Sequence, residues 1–152
     1  MIVLRLGKRI EMVLAEHGLT PNQYRALGFI AEGDPNLAEM SDRLVMKRPN
    51  LTALLDGLVE RGLIEKRRRS DDRRRVELVL SKAGAELFAA ASEDAERALA
   101  MLASLDGRDP ERRLRALSSW GPAVEEAARR YRAIKEASPS GTARRGGGAD
   151  RG

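Results

Sequence analysis

The chain has 152 residues and is 42% apolar, which suits one globular domain that buries about 70% of its unfolded surface without a disulfide or metal. It has no cysteine and one histidine, His17, so thiolate chemistry, histidine metal clusters and a Ser-His-Asp relay lack their residues. No apolar run of about 18 residues occurs. We therefore expect a cytoplasmic protein that is not an enzyme, has no cofactor or metal, and carries neither a membrane span nor a secretory signal.

The basic charge of the chain is concentrated in one segment. Lysine and arginine number 28 against 23 acids, for a formal net charge of +5. Residues 47–75 contain ten of the basic residues and five of the acids, so this segment carries the whole excess. A localised positive field of this kind is typical of a surface that binds a polyanion. A solvated arginine-rich loop is the alternative interpretation.

Two helices are predicted at the start of the chain. Apolar residues at helical spacing indicate an amphipathic helix over 1–16 that ends at His17-Gly18. Thr20 and Gln23 form a capping box, and Pro21 suits the first position of a helix that continues to about Glu32.

A helix-turn-helix is predicted next. Asn36 caps a short helix over 37–44. Three of its apolar residues are expected to be buried: Leu37, Met40 and Leu44. Pro49 then begins a helix to Arg61, with leucines at i, i+3, i+4 and i+7 on one face and small or polar residues on the other. A capped short helix, a tight turn and a second helix with a polar outer face predict a helix-turn-helix.

A β-hairpin is predicted directly after this unit. The segments Ile64–Arg69 and Arg75–Leu80 have the composition of strands, and the second alternates apolar and polar side chains. The segment between them, residues 70–74, is polar and turn-prone. A hairpin that follows a helix-turn-helix is a wing.

Two long helices are predicted in the second half. Ser81 caps a helix to about Leu105, and Asp109-Pro110 begins another that reaches Ile134 and that Gly121-Pro122 should kink or split. The residues expected to face inward are Leu87, Phe88, Ala91, Ala95, Leu99, Leu102, Leu114, Leu117, Val124, Tyr131 and Ile134. One small lobe cannot cover both helices, so we expect a two-fold dimer. The alternative is a monomer whose N-terminal helix covers the apolar stripe. Residues 138–152 are expected to form a disordered basic tail.

Several motifs, in this order, resemble the MarR family of bacterial transcription regulators. They are Leu19–Tyr24 (LTPNQY), Leu37–Glu39 (LAE), Leu58–Ile64 (LVERGLI), Asp72–Arg74 (DRR) and Val79–Gly84 (VLSKAG). The likeness covers about residues 1–134. It implies a mostly α fold with a small β-hairpin wing, in which residues 19–80 form a winged helix-turn-helix lobe and residues 1–18 and 81–135 form dimerisation helices. It also implies a homodimeric repressor that binds a pseudo-palindromic operator in double-stranded DNA, in a bacterial or archaeal nucleoid.

The predicted DNA-binding residues lie on the second helix of the helix-turn-helix and on the wing. The set is Lys47, Arg48, Pro49, Asn50, Thr52, Ala53, Arg67, Arg69, Arg73, Arg74 and Arg75. Arg48 and Asn50 suit guanine and adenine edges, although a merely solvated helix face is the alternative for Asn50 and Thr52. Arg74 is expected in the minor groove, with Asp72 orienting an arginine or fixing the turn.

Two positions depart from the family pattern. Lys47 stands where a serine or threonine usually heads the helix, and Ala53 stands where several relatives place a base-reading arginine. We therefore expect a sequence preference that cannot be copied from relatives.

The resemblance also implies release from DNA by a small aromatic or carboxylate effector, with His17 and Tyr24 as candidate contacts. The alternative for His17 is a helix-terminal residue with its ring on the surface, and Trp120 and Tyr131 are assigned to the dimer core rather than to a ligand site. Two other functions stay open: a non-specific architectural DNA-binding protein and a winged-helix module that binds protein.

Overall fold

The computed structural model describes residues 2–33, 36–68, 76–104, 109–124, 126–127, 130 and 133. The helices and strands found there are α1 (Ile2–Glu16), α2 (Pro21–Ala31), α3 (Leu37–Arg43), α4 (Arg48–Glu60), β1 (Ile64–Arg68), β2 (Val76–Leu80), α5 (Lys82–Ser104) and α6 (Pro110–Ser119). The predicted tail, residues 138–152, lies outside the described residues. Within the described segments, no helix is long and apolar enough to cross a membrane.

The predicted helix starts are confirmed by their side-chain caps. The amide of Gln23 donates to the Thr20 hydroxyl at 3.2 Å, and the Thr20 amide donates to the Gln23 side chain at 2.9 Å, which completes the capping box of α2. Asn36 accepts from the Glu39 amide at 2.8 Å at the start of α3. Asp109 caps α6 in the same way. These caps set where the three helices begin.

Two helices end at glycines with positive φ. Gly18 follows α1 with φ of +65° and Gly62 follows α4 with φ of +68°. The amide after each glycine donates back to a carbonyl of the last helical turn, at 3.0 Å in both cases. The chain therefore reverses sharply after α1 and after α4, as predicted for both positions.

The wing is an antiparallel hairpin whose base is described. β1 pairs with β2 in the register Ile64↔Leu80 to Arg68↔Val76. Both strands lie within the predicted segments, and the predicted end residues on the side of the tip, Arg69 and Arg75, lie outside the described residues. The tip itself, residues 69–75, lies outside the described residues, so the predicted turn there stays a prediction.

The core joins α1 and α5 to the lobe. It is a continuous cluster of buried residues: Leu14, Leu19, Ala26, Leu27, Ile30, Met40, Leu44, Leu51, Leu55, Leu58, Leu63, Ile64 and Ala91. Leu14 belongs to α1 and Ala91 to α5, and both are almost fully buried. The C-terminal half of α1 and the N-terminal half of α5 are thus packed on the lobe.

Some burial predictions are wrong for the chain by itself. Leu37 is 50% exposed: it shares a helix face with the buried Met40, but it is the first residue of α3 and lies one turn earlier. Leu117 and Val124 are also exposed, because α6 packs mainly on α5 and leaves its other side open. Tyr131 and Ile134 lie outside the described residues. The predicted split at Gly121-Pro122 is confirmed, since α6 ends at Ser119 and helical residues resume at 121–124.

A tight joint connects the end of α4 to the start of α5. The Ser81 amide donates to the Leu63 carbonyl at 3.1 Å, and the Ser81 hydroxyl donates to the Gly62 carbonyl at 2.6 Å. The same hydroxyl accepts from the Gly84 amide at 2.9 Å. A Cβ atom on Gly84 would lie 1.8 Å from the Leu63 carbonyl oxygen. Only glycine lets α5 approach the turn this closely.

We expect Gly84→Ala to lower the free energy of unfolding by about 3 kcal/mol, because the added methyl group would collide with backbone rather than with a movable side chain. Gly57→Ala on α4 is the matched control, since a Cβ there meets nothing within 4 Å and helix propensity favours alanine by about 1 kcal/mol. Urea denaturation of both variants measures the difference. Equal stability of the two variants would contradict the claim that the close approach of α5 to Leu63 requires glycine at position 84.

Candidate nucleic-acid interface

The turn between α3 and α4 determines how α4 is presented. The Met46 amide donates to the Ser41 carbonyl at 3.0 Å, and the Ser41 hydroxyl donates to the Met46 carbonyl at 2.6 Å. Val45, between them, has φ of +55°. The Arg25 guanidinium donates to the Arg43 carbonyl and so caps the end of α3. The turn repeats the geometry seen at the two helix-terminal glycines, with a β-branched residue in the left-handed position.

The N-terminus of α4 has no side-chain cap. Lys47 is the N-cap residue and makes no capping hydrogen bond, and Pro49 has no amide hydrogen. The exposed first turn therefore presents the amides of Arg48 and Asn50 beside two cationic side chains. The positive end of a 13-residue helix dipole lies at the same place. Such a helix end favours an anion, and phosphate in particular.

The two faces of α4 differ as predicted. Leu51, Leu55 and Leu58 are buried, whereas Asn50, Thr52 and Ala53 are exposed. The Thr52 hydroxyl donates to the Arg48 carbonyl at 3.0 Å, so its hydrogen is already used and its methyl group and lone pair remain. The buried leucines hold the helix against the core while its polar face points outward.

Ion pairs at the base of the wing were not predicted. Lys66 Nζ on β1 lies 2.8 Å from Asp56 Oδ1 on α4. Arg67 donates from Nε and Nη2 to the same Glu65 oxygen, at 3.1 and 3.0 Å. The sequence shows that these charged residues are present, but whether a residue on a helix pairs with one on a strand depends on how the two elements pack. These ion pairs were therefore not predicted from the sequence.

The predicted DNA-binding residues divide between the described part of the chain and the tip of the wing. Arg69, Asp72, Arg73, Arg74 and Arg75 lie outside the described residues. The structure does describe the remaining predicted residues, Lys47 to Ala53 and Arg67, and all of the predicted DNA-binding residues among them are exposed. The two elements that carry these residues, α4 and β1, pack against each other.

His17 faces α5 rather than solvent. Its Nε2 lies 2.9 Å from Asp94 Oδ2, and its side chain is 17% exposed. The alternative of a ring on the surface is therefore wrong, because α5 passes beside the end of α1 and supplies a carboxylate. Arg97 pairs with the other oxygen of Asp94 at 3.0 Å. His17 thus links the end of α1 to α5.

Tyr24 also contacts α5. Its hydroxyl lies 3.0 Å from Ser92 Oγ. The Ser92 hydroxyl donates to the Phe88 carbonyl at 2.8 Å, so the tyrosine is the donor. The rings of Tyr24 and Phe88 are 5.1 Å apart and tilted by 33°. The two candidate effector residues therefore contact neighbouring positions on α5, Asp94 and Ser92.

A separate groove of about 1360 Å³ lies between α1, α3 and α6. Its apolar side is formed by Val3, Leu6, Leu117, Trp120 and Val124, and Trp120 is 70% exposed. The assignment of Trp120 to a dimer core stays a prediction. In the described part of the chain, no three metal-ligating side chains converge on a point where an ion could bind.

Comparison with known proteins gives a consistent result. A sequence model of the MarR family matches residues 17–75. The HTH-type transcriptional regulator FarR of Neisseria gonorrhoeae is 27% identical over 116 residues, covering 76% of this chain and 80% of that protein. Among solved structures, the transcriptional repressor CouR bound to a 23-mer DNA duplex is 32% identical, with 78% of this chain and 84% of that chain covered and a TM-score of 0.63. NadR in complex with 4-hydroxyphenylacetate is 25% identical, with coverage of 78% and 84% and a TM-score of 0.61.

We expect Val45→Gly to stabilise the fold by about 1 kcal/mol, because a β-branched residue pays a penalty in the left-handed region that glycine avoids. Val45 is 51% exposed, so little buried area is lost. Gly62→Val is the matched reverse variant, because a Cβ atom at Gly62 would meet nothing within 4 Å and the φ angle of Gly62 is positive like that of Val45. Urea denaturation should show the two changes with opposite signs, and a loss of stability in both would contradict the backbone argument.

Proposed function

Because the chain belongs to the MarR family of transcription regulators, we propose that it is a homodimeric repressor that binds a pseudo-palindromic operator. The observation that carries this proposal is the exposed and uncapped N-terminus of α4. It combines free backbone amides, the helix dipole and the side chains of Lys47 and Arg48 at one point. DNA in the structure of the similar repressor CouR supports duplex DNA as the partner.

We propose that α4 enters the major groove with its N-terminus first. Lys47 and the amides after it would contact phosphate, while Arg48 and Asn50 would reach guanine and adenine edges. The Thr52 methyl group would lie against a thymine methyl, because its hydroxyl hydrogen is engaged within the helix. Ala53 adds only a small contact, so base reading would depend mainly on Arg48 and Asn50.

The wing would extend the interface into the minor groove. Arg74 is the proposed minor-groove residue, since a narrow A·T-rich groove concentrates negative potential. Asp72 would orient a neighbouring arginine, and Arg69, Arg73 and Arg75 would contact phosphates. Arg67 can contribute as well, because its ion pair with Glu65 uses Nε and Nη2 and leaves Nη1. About six neutralised phosphates in each lobe would make binding fall steeply with salt.

Residues 1–18 and 81–135 are the proposed dimerisation region, and residues 19–80 the DNA-binding lobe. Exposed apolar side chains on α1 and around α6 support a partner surface there, including Val3, Leu4, Leu117, Trp120 and Val124. Two-fold symmetry would place two copies of α4 about 34 Å apart, one helical turn of DNA. This spacing is the reason for proposing a pseudo-palindromic operator.

A small aromatic or carboxylate effector is proposed to release the DNA. NadR is described in complex with 4-hydroxyphenylacetate, an aromatic carboxylate. The proposed contacts are His17 and Tyr24, whose partners on α5 are Asp94 and Ser92. An effector that exchanges these hydrogen bonds for its own would change how α5 holds the lobe. Such a ligand must bind the DNA-competent and released states with different affinities.

We expect Arg48→Ala and Asn50→Ala each to weaken binding to a selected duplex by about 5- to 150-fold, which corresponds to one specific base contact. The duplex is obtained by selection from a randomised library with the wild-type protein, and affinity is measured by fluorescence anisotropy. Arg115→Ala on α6 removes the same charge outside the interface and should bind as wild type does. Unchanged affinity in Arg48→Ala and Asn50→Ala would favour the protein-binding module, and equal affinity for selected and shuffled duplexes would favour the architectural protein.

We expect 4-hydroxyphenylacetate to dissociate the DNA complex of the wild-type protein, and His17→Ala and Tyr24→Phe to raise the concentration needed by about 5-fold. The estimate is the value of one partly buried hydrogen bond. Glu93→Gln, an exposed position on α5 close to Asp94 in sequence, is the control and should respond as wild type does. Identical responses of all three variants would remove His17 and Tyr24 from the effector site.

A further inference from the structure

The ion pair between Asp56 and Lys66 lies on the side of α4 that the proposed function turns toward DNA. Asp56 is four residues after Thr52 and three after Ala53, so it follows both on the outer face of the helix. Its carboxylate lies 2.8 Å from Lys66 Nζ. Asp56 and Lys66 are 49% and 50% exposed. Both groups are therefore placed where phosphates would approach.

A carboxylate at this position would be unfavourable next to DNA unless a cation neutralises it. Lys66 supplies that cation, and by doing so it offers less of its charge to a phosphate. The pair is also a connection between two elements, because Asp56 is on α4 and Lys66 is on β1. It thus holds the wing base beside the helix that would read the bases.

We propose that Asp56 makes the protein selective for its operator by withholding Lys66 from phosphates. This inference rests on the proposed function. On the operator, base contacts already hold α4 in the groove, and the pair remains closed and keeps the wing in place. On random DNA, base contacts are missing and affinity comes almost entirely from phosphates. Recruiting Lys66 there requires the pair to open, so Asp56 lowers non-specific binding more than specific binding.

The second ion pair at the wing base does not act in the same way. Glu65 and Arg67 are neighbours on one strand, so their pair connects no other element. Arg67 also keeps Nη1 outside that pair, whereas the single ammonium group of Lys66 is the group that Asp56 holds. The selectivity role therefore belongs to Asp56, acting as a positioning residue through Lys66.

The test measures affinity and salt dependence on two duplexes, one selected from a randomised library by the wild-type protein and one with the same bases shuffled. We expect Asp56→Asn to raise affinity for the shuffled duplex by about 3- to 10-fold and to steepen its salt slope by about one unit per lobe, as one more phosphate contact would. Affinity for the selected duplex should stay the same or fall. Asp56→Glu, which can keep the pair, should retain the wild-type slope.

Two further variants separate this role from a general gain of positive charge. Glu60→Gln makes the same charge change on α4, at an exposed residue for which no ion pair with a described residue is found. It should alter affinity by less than about 2-fold and leave the slope unchanged. In Asp56→Asn/Lys66→Gln, the gain on the shuffled duplex should disappear, because the released cation is absent. Thermal melting checks that each variant is folded.

The outcomes distinguish this inference from the proposed function. If the wild-type protein selects no sequence and binds no duplex in dilute salt, the proposed function fails and this inference fails with it. If the wild-type protein selects an operator but Asp56→Asn behaves as Glu60→Gln does, only the selectivity role is refuted. The selectivity role is also refuted if the double variant keeps the gain of Asp56→Asn.

Discussion

The approach of α5 to the turn after α4 is the contact on which the arrangement of the whole chain depends. Ser81 bonds to the carbonyls of Gly62 and Leu63, and Gly84 leaves room for the Leu63 carbonyl oxygen. The end of α4 and the start of α5 are therefore held by backbone groups and by the Ser81 hydroxyl. A side chain can change rotamer, but the close approach at Gly84 has no side-chain freedom of that kind, so the turn after α4 and the first turn of α5 should move together.

The polar contacts further along α5 are made by side chains, one from Tyr24 in the lobe and one from His17 at the end of α1. His17 meets Asp94, and Tyr24 meets Ser92, each through one hydrogen bond of about the ordinary length. These contacts lie about two to three turns further along α5 than Gly84. A ligand could exchange them without breaking the backbone joint. If the lobe pivots on effector binding, the Gly84 joint is the fixed end and the His17 and Tyr24 contacts are the end that changes.

Local signals in the sequence predicted most of the fold. The capping box at Thr20, the caps at Asn36 and Asp109, and the glycine after α4 each act within four residues of the helix end that they define, so they can be recognised without knowing the tertiary structure. The exceptions are positions whose environment depends on residues that are distant in the sequence. Leu37 has an apolar side chain at the helical spacing of Met40 but is half exposed at the start of α3, and the surroundings of His17 depend on a helix more than seventy residues later.

The charge of the candidate interface shows the same division between local and tertiary information. Counting residues gives a net charge of +5 for 47–75. That count predicts a surface that binds a polyanion, but it does not say which cationic side chains are available for contact. The structure divides the described cations by their surroundings: Lys47 and Arg48 adjoin an uncapped helix end, whereas Lys66 is held by Asp56 and Arg67 by Glu65. Attraction toward DNA depends on the total field, which extends about 10 Å at 0.1 M salt. Contact with a phosphate depends on whether the individual cation must first leave a carboxylate, and that distinction can separate a regulator that finds one site from a protein that coats any duplex.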